Sequence, residues 1–244
     1  MIYILIPIYN ESKNIANLFE ELKHILPDEN SLFVFSDDGS SDASTEIIRE
    51  QFKGIPHQIL GDGINRGPGG AFNTGFKWIL NHSVNENDVV ITIEADCTSD
   101  IKLLPKMIAI NKLGFDLVLA SVYAQGGGFD GTTLLRKVIS SVANLMFRFL
   151  FDIKVLTLSS FYRLYGIKLL RNIKGNNEDL ITENGFICML EMLVKAIREK
   201  ANIIELPMTL HSKKREGKSK MKIIKTTIEY LKFFLKRKNY VNKK

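Results

Sequence analysis

Two carboxylates one residue apart, Glu94 and Asp96, close an apolar run over residues 89–93. Such a run reads as a strand buried on both faces, and strand side chains alternate, so both acids are expected on one side where the chain leaves the sheet. Ligands gather at the carboxyl ends of strands in open α/β sheets. Two hard oxygen donors there suit a divalent cation, Mg²⁺ or Mn²⁺, that holds a phosphate. The plainer reading is a strand end with Asp96, Thr98 or Asp100 capping a helix near Ile101. A second acidic pair, Asp37-Asp38, sits in the turn-rich run Ser36-Asp37-Asp38-Gly39-Ser40-Ser41-Asp42. Asp42 or Ser41 would serve as a helix cap there, but capping needs no paired acids, and adjacent like charges cost stability unless a ligand or cation offsets them. In residues 61–70, six of ten positions are Gly or Pro. That composition lets backbone approach a ligand closely and offers helix N-terminal amides to an anion. It is not a dinucleotide fingerprint, because Arg66 stands where a third glycine should be.

The elements that must position these residues follow from hydrophobic period. Strands are expected at residues 2–7, 32–35, 57–60, 89–93 and 116–121, alternating with helices whose apolar faces include Ile15, Leu18, Phe19, Leu22, Ile25 and Leu26, then Ile47, Ile48 and Phe52, then residues 71–80, then Leu103, Leu104, Met107, Ile108 and Ile110. That alternation predicts an α/β fold, a doubly wound and mostly parallel sheet with right-handed crossovers. Beyond it the pattern changes to a mobile glycine-rich loop at 125–133 and a helix at 134–150. The broad apolar face of that helix, from Leu135, Val138, Ile139, Val142, Leu145, Met146 and Phe149, is expected to be core or a dimer contact. A short strand at 159–165, a polar loop with Glu178, Asp179 and Glu183, a buried helix at 186–196 and a strand at 203–210 broken by Pro207 complete the body. Glu191 in that helix reads as a buried partner for a basic residue.

Length and composition set limits. The 244 residues, 45% hydrophobic and 25% charged, make one substantial domain. Cys97 and Cys188 are far apart and lack partners at metal spacing, which argues against zinc or a disulfide and fits a reducing cytosol. Residues 1–9 lack a basic leader and cleavage site and read as a strand. The longest apolar stretch, 138–147, falls well short of the ~20 residues of a spanning helix. Residues 211–244 carry 13 Lys/Arg against two acidic residues, so the positive net charge of +6 resides in the tail and the preceding body is acidic. Met221, Ile224, Ile228, Leu231 and Leu235 recur at helical spacing, and this stripe is expected to dock on the body. Phe233, Phe234, Tyr240 and the lysines would then face an anionic membrane. The tail is lysine-dominated with its aromatics on a helix, an arrangement that does not stack or read bases, so no nucleic-acid partner is expected.

Taken in order, Ile6-Pro7-x-Tyr9-Asn10-Glu11, the Asp37-Asp38-Gly39-Ser40-x-Asp42 loop, Asn65-x-Gly67 with Ala71-x-Asn73-x-Gly75, and Glu94-Ala95-Asp96 resemble glycosyltransferase family 2. Arg136-Lys137, Gly185-Phe186, Glu205-x-Pro207 and Arg215-x-Gly217-x-Ser219-Lys220 extend the resemblance to its dolichyl-phosphate mannosyltransferase branch, over residues 1 to 230. The resemblance implies a GT-A fold at residues 1–218, with a nucleotide-binding half at 1–122, an acceptor-side half at 123–218, and a basic amphipathic segment at 219–244. It implies an enzyme that moves a sugar from a UDP- or GDP-sugar, with inversion, to a polyprenyl phosphate or a growing surface glycan. Pro7, Tyr9, Glu11, Ser36 and Asp38 would line the nucleoside pocket with Gly67 and Ala95, and Glu94, Asp96 and Thr98 would occupy the metal positions. Arg215 and Lys220 would close over the phosphates. A sugar hydroxyl acceptor would need a base, for which Asp179 and Glu183 are the candidates beside Asp96, whereas a phosphate acceptor needs none. The location implied is the inner membrane face, as a peripheral protein and a possible homodimer. The chain departs from the pattern at Glu94, Thr98, Val122, Leu156 and Ser160, which leaves the donor sugar open and admits a degenerate, membrane-binding relative as the alternative.

Overall fold

The computed structural model describes residues 1–23, 30–151, 153–217, 220 and 223–235, apart from the side chains of Leu135, Arg136, Ile139, Ala143, Ile223, Ile224, Lys225 and Thr227. The expectations placed on Ile25, Leu26, Met221, Ser219, Tyr240 and the lysines after Leu235, and on the side chains of Leu135, Arg136, Ile139 and Ile224, lie outside that set.

The first half builds a parallel sheet from short apolar runs. β1 (Ile2–Ile8) pairs in parallel with β2 (Ser31–Asp37) on one side and with β4 (Val89–Thr92) on the other, and β3 (His57–Leu60) adds to β2. Between them run α1 (Ile15–Leu22), α2 (Ser44–Gln51) and α3 (Pro68–His82), and α4 (Leu104–Asn111) leads to β5 (Leu117–Ser121). The period of two along β1 decides the layers. Tyr3 and Leu5 pack with Phe72 and Phe76 of α3, while Ile4, Ile6 and Ile8 pack with α1 and Phe52 on the other face.

The second half completes the same sheet. β7 (Arg163–Gly166) inserts between β4 and β5, antiparallel to both, and β8 (Ile203–Pro207) pairs in parallel with β5. The strand order is β3-β2-β1-β4-β7-β5-β8. The fold is thus α/β and mostly parallel, flanked by α5 (Leu134–Phe151), α6 (Ile167–Lys174), α7 (Cys188–Arg198) and α8 (Ile223–Leu235).

Three local expectations change. β4 ends at Thr92, so Glu94 and Asp96 stand in the loop beyond it and strand alternation does not orient them. The expected mobile loop at 125–133 contains β6 (Gly128–Asp130), which pairs with β9 (Thr209–His211). The stripe expected to dock α8 is turned outward: Ile228, Leu231 and Leu235 are exposed, whereas Phe233, expected at a membrane, is fully buried. The rings explain the choice. Phe233 meets Phe151 at 5.6 Å and Tyr230 meets Phe147 at 4.8 Å between centroids, contacts that aliphatic Ile228 and Leu231 could not supply on that side.

Candidate active site

A cleft of about 930 Å³ opens where β1, β4 and β5 end. The loops after β1 and β2 form one end of it by locking together. Asn10, in the left-handed region at φ 53°, accepts the Ser41 amide on its Oδ1 at 2.7 Å; Ser44 Oγ accepts the Glu11 amide at 2.8 Å; Asp42 accepts the Ser12 amide at 3.1 Å. Asp42 thus ties the two loops and also accepts the Ser44 amide at 3.0 Å, so its carboxylate serves the start of α2 as expected, although the cap position itself falls one residue later at Ala43. Asp38 turns inward, its Oδ1 accepting the Arg66 amide at 2.7 Å, and burial raises its pKa against that bond. Gly39 must be glycine: its φ is +74°, and a Cβ would lie 2.8 Å from the Gly63 carbonyl of the glycine-rich loop. That loop is braced by Arg66, whose guanidinium grips Asp62 with two 2.7 Å bonds and draws its pKa down to about 2.

The acidic centre follows β4. Cys97 holds φ 59°, an uncommon conformation for a residue with a Cβ, and this turn sends Asp96 and Thr98 to the same wall. Asp96 Oδ1 accepts the Thr98 amide at 3.1 Å and its hydroxyl at 2.6 Å, while Oδ2 takes the Arg215 guanidinium from Nε at 2.6 Å and from Nη2. Glu94 accepts the Ser99 hydroxyl at 2.6 Å; burial first, and the charge of Asp96 second, raise its pKa. A half-buried Glu94 and a buried Asp96 that repel one another are the donor set a divalent cation would relieve. Glu11 completes the acidic wall, with Lys220 Nζ at 3.8 Å from its carboxylate and 2.7 Å from the Asn10 carbonyl. Burial is the main reason its pKa is raised.

The family model for "Glycosyl transferase family 2" matches residues 3–174 of the chain. This chain belongs to that family. Within it, the chain is 30% identical over 232 residues to the dolichol-phosphate mannosyltransferase of Pyrococcus furiosus, covering 93% of this chain and 61% of that protein, so it spans under two thirds of that relative's length. It is 27% identical to the polyprenol monophosphomannose synthase of Mycolicibacterium smegmatis, over 89% of this chain and 80% of the relative. These names place its resemblance in the mannosyltransferase branch. Glucosyl-3-phosphoglycerate synthase of Mycobacterium tuberculosis, solved with Mn²⁺, UDP and phosphoglyceric acid, superposes with a TM-score of 0.67 at 13% identity, covering 99% of this chain and 78% of that one. At that identity the likeness shows the shared GT-A fold.

Among the residues expected in the family's site, Pro7, Tyr9, Glu11, Asp38, Gly67, Glu94, Ala95, Asp96, Thr98, Arg215 and Lys220 all line the cleft. Three do not. Ser36 is buried below it, donating its hydroxyl to the Ala71 carbonyl at 2.7 Å, because the side chain at that point of β2 faces α3. Asp179 is taken by Asn73 at 2.7 Å and Lys77 at 3.1 Å on α3, and those bonds lower its pKa. Glu183 lies in the adjoining loop outside the lining, its amide held by Glu191 at 2.9 Å. Glu191 is the buried partner expected, paired with Lys195 at 2.7 Å.

The cleft wall beside β7 and β8 uses residues that periodicity does not reveal. Glu205 on β8 accepts the Leu156 and Thr157 amides at 2.6 and 2.8 Å, and buried Arg163 on β7 donates to the Leu158, Ser160 and Met189 carbonyls at 2.7 to 2.8 Å. Together they hold Thr157, Leu158 and Ser160 against the cleft. Glu229 of α8 also lines it, packed over Gly185. An acid inside an apolar helix was the available signal for Glu229.

Proposed function

We propose that this chain transfers a sugar from a UDP- or GDP-sugar to a polyprenyl phosphate at the inner membrane face, as a peripheral protein, with inversion at the sugar. The observation that carries this reading is the convergence of Asp38, the Glu94 and Asp96 pair, Arg215 and Lys220 on one cleft, from three separate stretches of chain.

Asp38 and Glu11 would bind the nucleoside, with the Tyr9 ring beside it. Glu94 and Asp96, with Thr98, would hold Mg²⁺ or Mn²⁺, which supplies neutralisation of the departing diphosphate. Arg215 and Lys220 would pass their charges from Asp96 and the Asn10 carbonyl to the diphosphate oxygens. An oxygen of the acceptor phosphate attacks the anomeric carbon from the face opposite the diphosphate; the new carbon–oxygen bond forms as the old one breaks, which inverts the centre. The acceptor oxygen is already anionic, so no base is required. The commitment of Asp179 to Asn73 and Lys77 supports a phosphate acceptor over a sugar hydroxyl. So does the apolar acceptor side of the cleft, where Phe129, Phe147, Leu158, Phe161 and Phe186 suit an isoprenoid chain.

The test is a thermal-shift panel of UDP, GDP and their sugars, each with and without Mn²⁺. A ligand that binds only the native state raises its melting temperature, so a metal-dependent shift with one nucleotide is expected. No shift with any nucleotide in the presence of metal would favour the degenerate, binding-only alternative.

A further inference from the structure

The loop that carries Arg215 has little apolar packing of its own: Lys213, Lys214, Glu216 and Gly217 are exposed. Polar ties hold it over the acidic wall, and their burial ranks them. The bonds from Lys214 to Glu21 at 2.6 Å and from Asn17 to Glu216 Oε1 at 3.1 Å face solvent, where such contacts contribute little. Asn14 is different, being 2% exposed with its whole side chain committed to this loop and to Glu11. Its Oδ1 accepts the Glu216 amide at 2.8 Å, and its Nδ2 donates to the Glu216 carbonyl at 3.1 Å and to Glu11 Oε2 at 2.6 Å. Those partners fix which way the amide points, since two acceptors stand on one side and an N–H on the other. An Asn immediately before a helix ordinarily caps it, yet the Asn14 side chain makes no cap bond to α1.

The backbone of the same residue touches the opposite side of the site. Its carbonyl takes the Cys97 thiol at 3.7 Å, within the left-handed turn that sends Asp96 to the cleft. Asp96 grips Arg215, Arg215 precedes Glu216, and Glu216 returns to Asn14. The contacts close a ring, so the separation between the turn bearing Asp96 and the loop bearing Arg215 is set at Asn14. We propose that Asn14 is a positioning residue: it holds the Arg215 guanidinium over the acidic wall before a ligand arrives, so that a diphosphate meets a charge already in place. Without Asn14 the Glu216 backbone turns to water, the loop loses this buried tie, and the incoming ligand must order Arg215 itself. The inference rests on the proposed activity for the identity of the ligand, and deepens it by naming what holds the cation.

Two measurements on the full chain test this. In the first, without ligand, hydrogen exchange over residues 211–217 is compared between wild type and Asn14→Ala. The variant is expected to exchange about tenfold faster or more there, with α2 and α3 unchanged. In the second, UDP and GDP, each with Mn²⁺, are titrated calorimetrically into wild type, Asn14→Ala, Arg215→Ala and the double variant. For the nucleotide that binds, each single change is expected to lower affinity about tenfold, and the double variant to fall less than about twofold below Arg215→Ala, because Asn14 acts through that side chain. Asn17→Ala removes the exposed bond to the same loop and should match wild type in both measurements. Should Asn14→Ala fail to fold, both are read on Asn14→Asp, whose carboxylate keeps the shape and the acceptor for the Glu216 amide but has no hydrogen to give Glu11 or the Glu216 carbonyl. Unchanged exchange overturns the proposal, and so do additive losses of affinity, which a merely structural role would give. Should neither nucleotide bind wild type, the glycosyltransfer reading fails, and the exchange result alone decides whether Asn14 holds the loop.

Discussion

Asp96 divides its two oxygens between a neighbour that shapes the turn and an arginine from a loop 119 residues away. Asp96→Asn keeps the size and removes the charge. The expected outcome is loss of the Mn²⁺-dependent nucleotide shift and a fall in transfer of about 100-fold or more, with far-UV circular dichroism unchanged. Wild-type turnover in that variant would remove Asp96 from the metal site. Asp179 makes a prediction about acid instead. Bonds from Asn73 and Lys77 lower its folded pKa, so its stabilising contribution is present above the unfolded value of about 3.9 and is lost as pH falls through the lower folded one. Asp179→Asn should flatten the acid limb of stability measured by urea titration from neutral pH downward, and transfer should persist. The acids of the site were legible in the sequence because like charges side by side need a reason. Ser36 and Asp179 were misplaced because a hydroxyl or carboxylate near a site pattern does not disclose whether another helix has already taken its hydrogen bonds.

At the scale of elements, one wall of the cleft is a loop held by β7 and β8. Glu205 offers a charged acceptor to two adjacent amides, and hydrogen bonds of that kind are worth about 1.5–3 kcal/mol. Glu205→Ala should cost about that much by chemical denaturation and weaken acceptor use more than nucleotide binding, since Asp38 and Asp96 lie on other loops. Equal losses for both substrates would mean the loop supports the whole cleft. Gly69→Ala probes the opposite wall. Its Cβ would lie 1.9 Å from the Glu183 carbonyl, so the 183–185 loop must move; a lower melting temperature and weaker nucleotide shift are expected. Long periodic runs such as α3 and β1 could be read from sequence because their pattern repeats. β6 has three residues and no period to detect. The orientation of α8 was ambiguous for a different reason: its aliphatic and aromatic residues form two stripes, and only the rings of α5 decide which is buried.

At the scale of the molecule, the alternation of the first 121 residues signalled the α/β class, but not that the second half of the chain completes the same sheet. β4 and β5 do not pair with each other. Leu164 of β7 stands opposite both Ile91 and Val118, joining strands that precede it in the chain. This has a consequence for biosynthesis. On the ribosome, β4 emerges long before residues 163–166, and until they arrive one edge of β4 has no native partner. Residues 1–122 made alone should therefore fail to give a soluble native species, and in a refolding experiment followed by pulsed hydrogen exchange the amides of β4, β5 and β7 should gain protection in one late, concerted phase.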